Sequence, residues 1–135
     1  MSKKYWVKNI NVITDTRGEM CVITSNIDIP FTIKRIFYDF NNKNDSVKRG
    51  CHANIVSRFV CICVKGSCEI SLDDGENKET VILNSPSQIL YIDNMVWKEM
   101  YNFSDDSVLL LLSDNEYDSS EYIKDYKVFL KEVKK

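Results

Sequence analysis

The sequence predicts an all-β protein, a sandwich or barrel of short strands completed by one C-terminal α-helix. Three observations carry that expectation. Strand-like segments are separated by turn signals about every ten residues. One segment, residues 59–64, is apolar throughout, as a strand buried on both faces should be. At the C-terminus the period lengthens to three and four, where Tyr122, Ile123, Tyr126, Phe129, Leu130 and Val133 recur. With 135 residues, 44% of them hydrophobic, and only 4 glycines and 2 prolines, the chain suits one ordered domain over 1–135.

Taken in order, residues 5–10 begin the first strand. Asp15-Thr16-Arg17-Gly18 is a turn, with Gly18 free to take positive φ. Residues 20–24 are apolar and β-branched and read as a second strand. Residues 26–30 connect it to a long strand over 31–40, where polar and apolar positions interleave. Residues 41–46 form a polar loop. Lys48 to Asn54 reads as a basic, turn-rich stretch leading into the buried strand over 59–64. Lys65-Gly66 turns the chain, and 67–72 alternates. Asp73-Asp74-Gly75-Glu76-Asn77 is a hairpin turn before 78–83 returns. Ser85-Pro86-Ser87 interrupts the pattern, and 88–92, 96–103 and 108–112 supply three more strands. Ser119 or Ser120 is placed to cap the helix, and Lys131, Lys134 and Lys135 complement its C-terminal dipole.

Charge and cysteine content narrow the function classes. A net charge of -2 offers no general attraction for nucleic acid or an anionic membrane, so neither is an expected partner, although local basic clusters could hold a small anion. The basic residues 1–4 run into an alternating segment instead of an apolar h-region, so no signal peptide is expected. No apolar run approaches membrane-spanning length. The 5 cysteines are an odd number, and Cys61 and Cys63 share one strand face. They read as small buried hydrophobes in a reducing cytoplasm.

Chemistry is expected first at Lys48-Arg49-Gly50-Cys51-His52-Ala53-Asn54, which holds the only histidine. The alternative is a hydrogen-bonded structural imidazole. In an all-β chain, Gly50-x-His52-x-Asn54 ahead of a buried strand suggests a cupin, a small jelly-roll barrel. Many cupins hold a metal with His-x-His, a carboxylate and a further histidine. Here Asn54 takes the second position, Arg58 or Phe59 the later one, and Lys98 stands where another histidine would. One imidazole among lysine and arginine is a poor ligand set for a divalent cation, so no metal and no cofactor are expected.

Further motifs run along nearly the whole chain: Asp15-Thr16-Arg17-Gly18, Ile29-Pro30-Phe31-Thr32-Ile33-Lys34-Arg35 with Tyr38, Arg49-Gly50-Cys51-His52-Ala53, and Gly66-Ser67. Leu72-Asp73-Asp74-Gly75, Leu83-Asn84-Ser85-Pro86, Val96-Trp97-Lys98-Glu99-Met100, Asn102-Phe103-Ser104 and Tyr117-Asp118 follow, before Tyr122-Ile123-Lys124-Asp125-Tyr126. In this order and spacing the chain resembles the sugar 3,4-ketoisomerases, which act on thymidine-diphosphate-linked 4-keto-6-deoxy sugars. The resemblance implies a cupin jelly roll, a homodimer that exchanges β-strands, and a cytoplasmic enzyme. It also implies a metal-free shift of the keto group from carbon 4 to carbon 3 through an enediol, upstream of 3-amino sugars for surface glycans.

On that resemblance His52 is the base, with Tyr38 as a hydrogen-bond donor and Arg17, Arg49 and Lys98 stabilising the enediolate. Lys34, Arg35, Arg17 or Arg49 would hold the diphosphate. Asn54, Asn102 and Trp97 complete the expected substrate contacts, with core packing as the alternative for Trp97. Lys34 and Arg35 are adjacent on a strand, so at most one faces the barrel. The family segment normally reads His-Ala-His, and Lys98 lies where relatives carry His or Arg. Two other readings follow from Asn54 and from the fold: a non-catalytic nucleotide-sugar-binding cupin, and a 3,5-epimerase.

Overall fold

The computed structural model describes residues 3–43 and 47–135, so part of the loop expected over 41–46 lies outside the described residues. Within them the chain forms β1 (Tyr5–Asn9), β2 (Ile13–Asp15), β3 (Gly18–Met20), β4 (Arg35–Asp39), β5 (Arg49–Asn54) and β6 (Phe59–Lys65). Then come β7 (Cys68–Asp73), β8 (Lys78–Leu83), β9 (Gln88–Ile92), β10 (Trp97–Tyr101) and β11 (Val108–Ser113). A 3-10 turn (Ser119–Glu121), β12 (Tyr122–Ile123) and α1 (Tyr126–Val133) close the chain. Two five-stranded sheets run β1-β9-β6-β11-β4 and β12-β5-β10-β7-β8, and β2-β3 stand apart as a two-stranded ribbon. This is the two-sheet jelly roll expected of a cupin.

Strand alternation assigns the core. Odd-numbered positions of β6 (Phe59, Cys61, Cys63) meet Leu90 and Ile92 of β9 and Leu109 and Leu111 of β11 between the sheets. Ile70 and Leu72 of β7 and Met100 of β10 face them from the second sheet. The even positions Val60 and Ile62 are buried on the opposite face, beneath Ile29 and Phe31. Strand β6 is therefore covered on both sides, which is why its sequence does not alternate in polarity. Each such fully buried side chain contributes about 1.5–3 kcal/mol of transfer free energy. On the outside of the second sheet, Ala53, Trp97 and Ile123 pack against Phe129 of α1.

Four expectations need correction. Residues 20–24 do not form a strand beyond Met20. Instead β2 and β3 close a hairpin over the turn, where Asp15 Oδ1 accepts the Arg17 N–H at 2.8 Å and Gly18 takes φ 141°. The Thr24 N–H goes to the Asp28 carboxylate at 2.7 Å, and the Thr24 carbonyl accepts from Ile27 and Asp28, so a local turn replaces a ladder. The long strand over 31–40 is shortened to β4. Phe31 is drawn down as a cover on β6, and the Ile33 N–H bonds the Ser25 hydroxyl at 3.1 Å.

The histidine stretch is a strand, not a turn: β5 pairs with both β10 and β12. Its turn-like residues are a bulge, with Gly50 at φ 79° and Cys51 at φ 56° opposite a register shift between Lys98 and Glu99. A Cβ on Gly50 would come within 3.1 Å of the Lys98 carbonyl oxygen, so glycine suits this close approach. Finally, the helix begins at Tyr126, capped by Asp125, whose Oδ1 accepts from Lys127 and Val128 N–H, and not at Ser119 or Ser120. Tyr122 and Ile123 fall on the helical period with Tyr126, but the open edge of β5 claims their backbone instead (Tyr122↔Asn54, Ile123↔Ala53).

Candidate active site

The site is built on the β5–β10 pairing. Lys98 and His52 are direct cross-strand partners, so their side chains rise from the same face, and Asn54 follows two residues along it. That face lines a cavity of about 190 Å³ between the sheets. Phe37 and Asp39 of β4, Phe59 of β6 and Tyr122 of β12 form its other walls, with Arg49 at its rim.

His52 is half-buried. Its Nδ1 lies 3.0 Å from the Gly50 carbonyl, which can only accept, so Nδ1 carries the proton and Nε2 keeps its lone pair. The Tyr122 ring sits 4.7 Å away. Burial, and then the positive charge of Lys98, push His52 down to about 4, against partial opposition from hydrogen bonds to Gly50 and Asn54. The imidazole is therefore neutral near neutral pH, with the Nε2 lone pair open to accept a proton.

Lys98 is 2% exposed, and its ammonium donates to Asn54 Oδ1 at 3.0 Å and to the Val96 carbonyl at 3.4 Å. It lies 5.0 Å from the Phe59 ring centre, and no salt bridge to it occurs among the described residues. Burial lowers Lys98 to about 8, while the neighbouring Cys61 sulfur and the Glu121 carboxylate pull it back up. A protonated lysine and a neutral histidine thus share one wall of the cavity at pH 7.

Two arginines flank them. Arg35 points inward, its guanidinium 5.2 Å, 5.6 Å and 5.7 Å from the rings of Phe37, Phe59 and Tyr117. It reaches the Tyr122 hydroxyl at 3.4 Å and Ser113 Oγ at 3.5 Å, and its buried Nε has no partner among the described residues. Arg49 pairs with Asp39 at 2.7 Å. Lys34 points the other way, into an open acidic cleft with Glu116, Asp118 and Glu121, as the opposite-faces rule required.

Besides Lys34, four expected site residues are not brought to this cavity within the chain. Arg17 sits at the tip of the β2–β3 hairpin with its side chain 88% exposed, paired to Asp15. Tyr38 is 60% exposed on the outer face of β4, because Phe37 and Asp39 take the inward positions. Trp97 faces α1, packs on Tyr126 and Phe129, and donates its indole N–H to Glu99 at 2.9 Å. Its role is in the core. Asn102 lies past the end of β10 with φ 52° and donates to the Glu69 carboxylate.

The sequence reading passed over Asp39, Tyr122 and Glu121. Asp39 was legible in principle, as the inward neighbour of Phe37 on an alternating strand. Tyr122 was hidden by its helical spacing. Glu121 is buried, and its carboxylate accepts the N–H groups of Val56 at 2.9 Å and Ser57 at 2.8 Å, and the Ser57 hydroxyl. Burial pushes Glu121 up, but these hydrogen bonds outweigh it and hold the group below the usual carboxylate range. No short motif marks such a residue.

Comparison with known proteins finds relatives that match nearly the whole chain. The family described as FdtA: WxcM-like, C-terminal matches residues 3–134. The TDP-4-oxo-6-deoxy-alpha-D-glucose-3,4-oxoisomerase of Aneurinibacillus thermoaerophilus is 40% identical over 129 residues, 96% of this chain and 92% of that protein. A 3,4-ketoisomerase from Helicobacter canadensis superposes with a TM-score of 0.95 at 40% identity, covering 99% of this chain and 100% of that one. A mutant of the 3,4-ketoisomerase QdtA from Thermoanaerobacterium thermosaccharolyticum, solved with TDP-4-keto-6-deoxyglucose, gives a TM-score of 0.94 at 35% identity, over 99% of this chain and 96% of that one. By motif order, fold and near-complete coverage, this chain belongs to the FdtA family of WxcM-like, C-terminal proteins.

Proposed function

We propose that this chain is a sugar 3,4-ketoisomerase acting on a dTDP-linked 4-keto-6-deoxyhexose. The observation that carries the reading is the His52 imidazole, its Nδ1 turned to the Gly50 carbonyl, beside the buried Lys98 ammonium on one cavity wall. The 4-keto group acidifies the carbon 3 hydrogen. His52 removes it, the electron pair forms the carbon 3–carbon 4 double bond, and the developing oxyanion is stabilised by Lys98. Protonation of the carbon 4 oxygen, return of a proton to carbon 4 and loss of the carbon 3 hydroxyl proton leave the keto group at carbon 3. No electrons leave the sugar, so no redox partner is needed. A cavity of about 190 Å³ is smaller than the roughly 300–1,000 Å³ of drug-sized sites, so it suits the hexose and leaves the nucleotide at the rim near Arg49. Arg35, with its unpaired Nε, suits an anionic part of the ligand.

The test is incubation with dTDP-4-keto-6-deoxyglucose in heavy water, read by NMR. Deuterium should enter the hexose and a 3-keto sugar should form. Tight binding without exchange would instead identify a nucleotide-sugar-binding protein, and exchange at carbon 5 an epimerase.

A homodimer with exchanged N-terminal arms fits the same picture. The β2–β3 ribbon joins neither sheet, and Ile13, Met20, Val22 and Ile27 on and beside it are exposed. A lone two-stranded ribbon is marginal in water, and β4 is an edge strand that exposes Ile36 and Tyr38. Crossing of the arm to a second copy would cover these surfaces, place Tyr38 at the subunit contact and offer Arg17 to the partner's cavity. If so, Arg17→Ala and His52→Asn subunits, each inactive alone, should recover roughly a quarter of wild-type activity after mixing and refolding, since half the dimers are mixed and each has one intact site. No recovery would show that Arg17 does not act across the dimer. A nucleotide-sugar substrate and 5 free cysteines suit a cytoplasmic setting.

A further inference from the structure

We propose that Asn54 is a positioning residue that holds the Lys98 ε-ammonium at the cavity wall, so that Lys98, in place of a second imidazole, delivers the proton to carbon 4. This role presupposes the isomerase reading above.

Three features carry it. His52, Lys98 and Asn54 project from adjacent positions of one sheet face by strand register, so acid and base meet the same small cavity. An ammonium has three N–H donors. Two are used, on Asn54 Oδ1 and the Val96 carbonyl, both neutral, and Lys98 itself lines the cavity, so the third remains for a ligand. The third feature is Asn54 itself. It is 1% exposed, and its Nδ2 turns toward the Glu121 carboxylate without completing a full hydrogen bond among the described residues. A buried amide whose donor is incompletely satisfied is unfavourable as mere packing, where an aliphatic side chain of this size would do better. Its contribution is the carbonyl oxygen, an acceptor that never takes a proton itself. A histidine there would compete with Lys98 for positive charge, whereas Asn54 lets Lys98 remain the cation. The groups that bear on the Lys98 charge are Cys61 on β6 and Glu121 ahead of β12, and Lys98 in turn lowers His52 on β5.

The step balances. His52 Nε2 takes hydrogen from carbon 3 and returns a proton to the oxygen on carbon 4. Lys98 gives a proton to carbon 4 and recovers one from the hydroxyl on carbon 3. Both groups end as they began.

Two measurements decide it. With substrate deuterated at carbon 3 in ordinary water, the wild-type product should carry hydrogen, not deuterium, at carbon 4. Deuterium transferred from carbon 3 to carbon 4 would overturn the assignment, because one group would then serve both carbons. Asn54→Leu should lower kcat by about tenfold or more with KM little changed, and move the alkaline limb of the pH profile to lower pH. Asn54→Asp should restore much of kcat and move that limb to higher pH, since a carboxylate favours the ammonium. An Asn54→Leu enzyme with wild-type kcat and an unmoved limb would also overturn it. If Asn54→Leu does not fold, the label experiment on the wild type decides alone. Failure of the isomerase reading itself is distinct, because there the wild type binds ligand and turns nothing over.

Discussion

His52→Asn should cut isomerisation by about 10²–10⁴-fold while leaving nucleotide-sugar binding within a few fold of wild type. The asparagine amide can still donate toward the Gly50 carbonyl, so the local fold is kept and what is lost is the Nε2 lone pair. No other imidazole exists in the chain to replace it. The wild-type acid limb should lie low, because His52 is pushed to about 4 by burial and by Lys98, and activity is lost only as pH falls through that value. The same shift links to stability. Between about 4 and the unfolded value near 6.5 the unfolded chain binds the extra proton, so this contribution is complete above that window and declines as pH falls through it. Turnover of His52→Asn within a few fold of wild type would move the base elsewhere.

Lys98→Met should make the protein more stable and much less active. Burial lowers the lysine from 10.5 to about 8, so at pH 7 the folded state holds that proton less favourably than the unfolded chain, by about 3 kcal/mol. Methionine removes the cost but leaves Asn54 Oδ1 and the Val96 carbonyl without their donor, so a net gain of about 1–2 kcal/mol is expected. The lysine penalty is complete below 8 and fades as pH rises toward 10.5, so the two proteins should converge in stability over that range. Turnover should fall by about 10²-fold or more with the loss of the cation facing the enediolate. Denaturation at pH 7 and at pH 9.5 checks both parts. A variant less stable than wild type at pH 7 would contradict the uncompensated burial of Lys98.

Most strands were legible because alternation is local. The β7–β8 hairpin and the two-sided burial of β6 follow from residues adjacent in sequence. The errors came where a local pattern had two solutions. Tyr122 and Ile123 fit a helical period, yet the edge of β5 offered their backbone hydrogen bonds. Residues 20–24 were β-branched enough for a strand but had no neighbour to pair with. Phe31 and Ile33 had strand character, but burying Phe31 on β6 served better than extending β4.

For function, the sequence by itself determined that the single histidine sits in a jelly roll beside Arg49 and Asn54, and that the motifs follow the ketoisomerase order. It also determined that only one of Lys34 and Arg35 can face inward. Only the tertiary structure decided that Arg35 is that one, and that Lys98 lies opposite His52 and is held by Asn54. It likewise decided that Tyr122 and Asp39 wall the cavity, while Trp97, Tyr38, Asn102 and Arg17 do not. The reason is register. Which residues 46 positions apart become cross-strand neighbours depends on how two strands slide past each other and where a bulge falls, here at Gly50 and Cys51. That choice is made by the whole sheet, and no local window contains it.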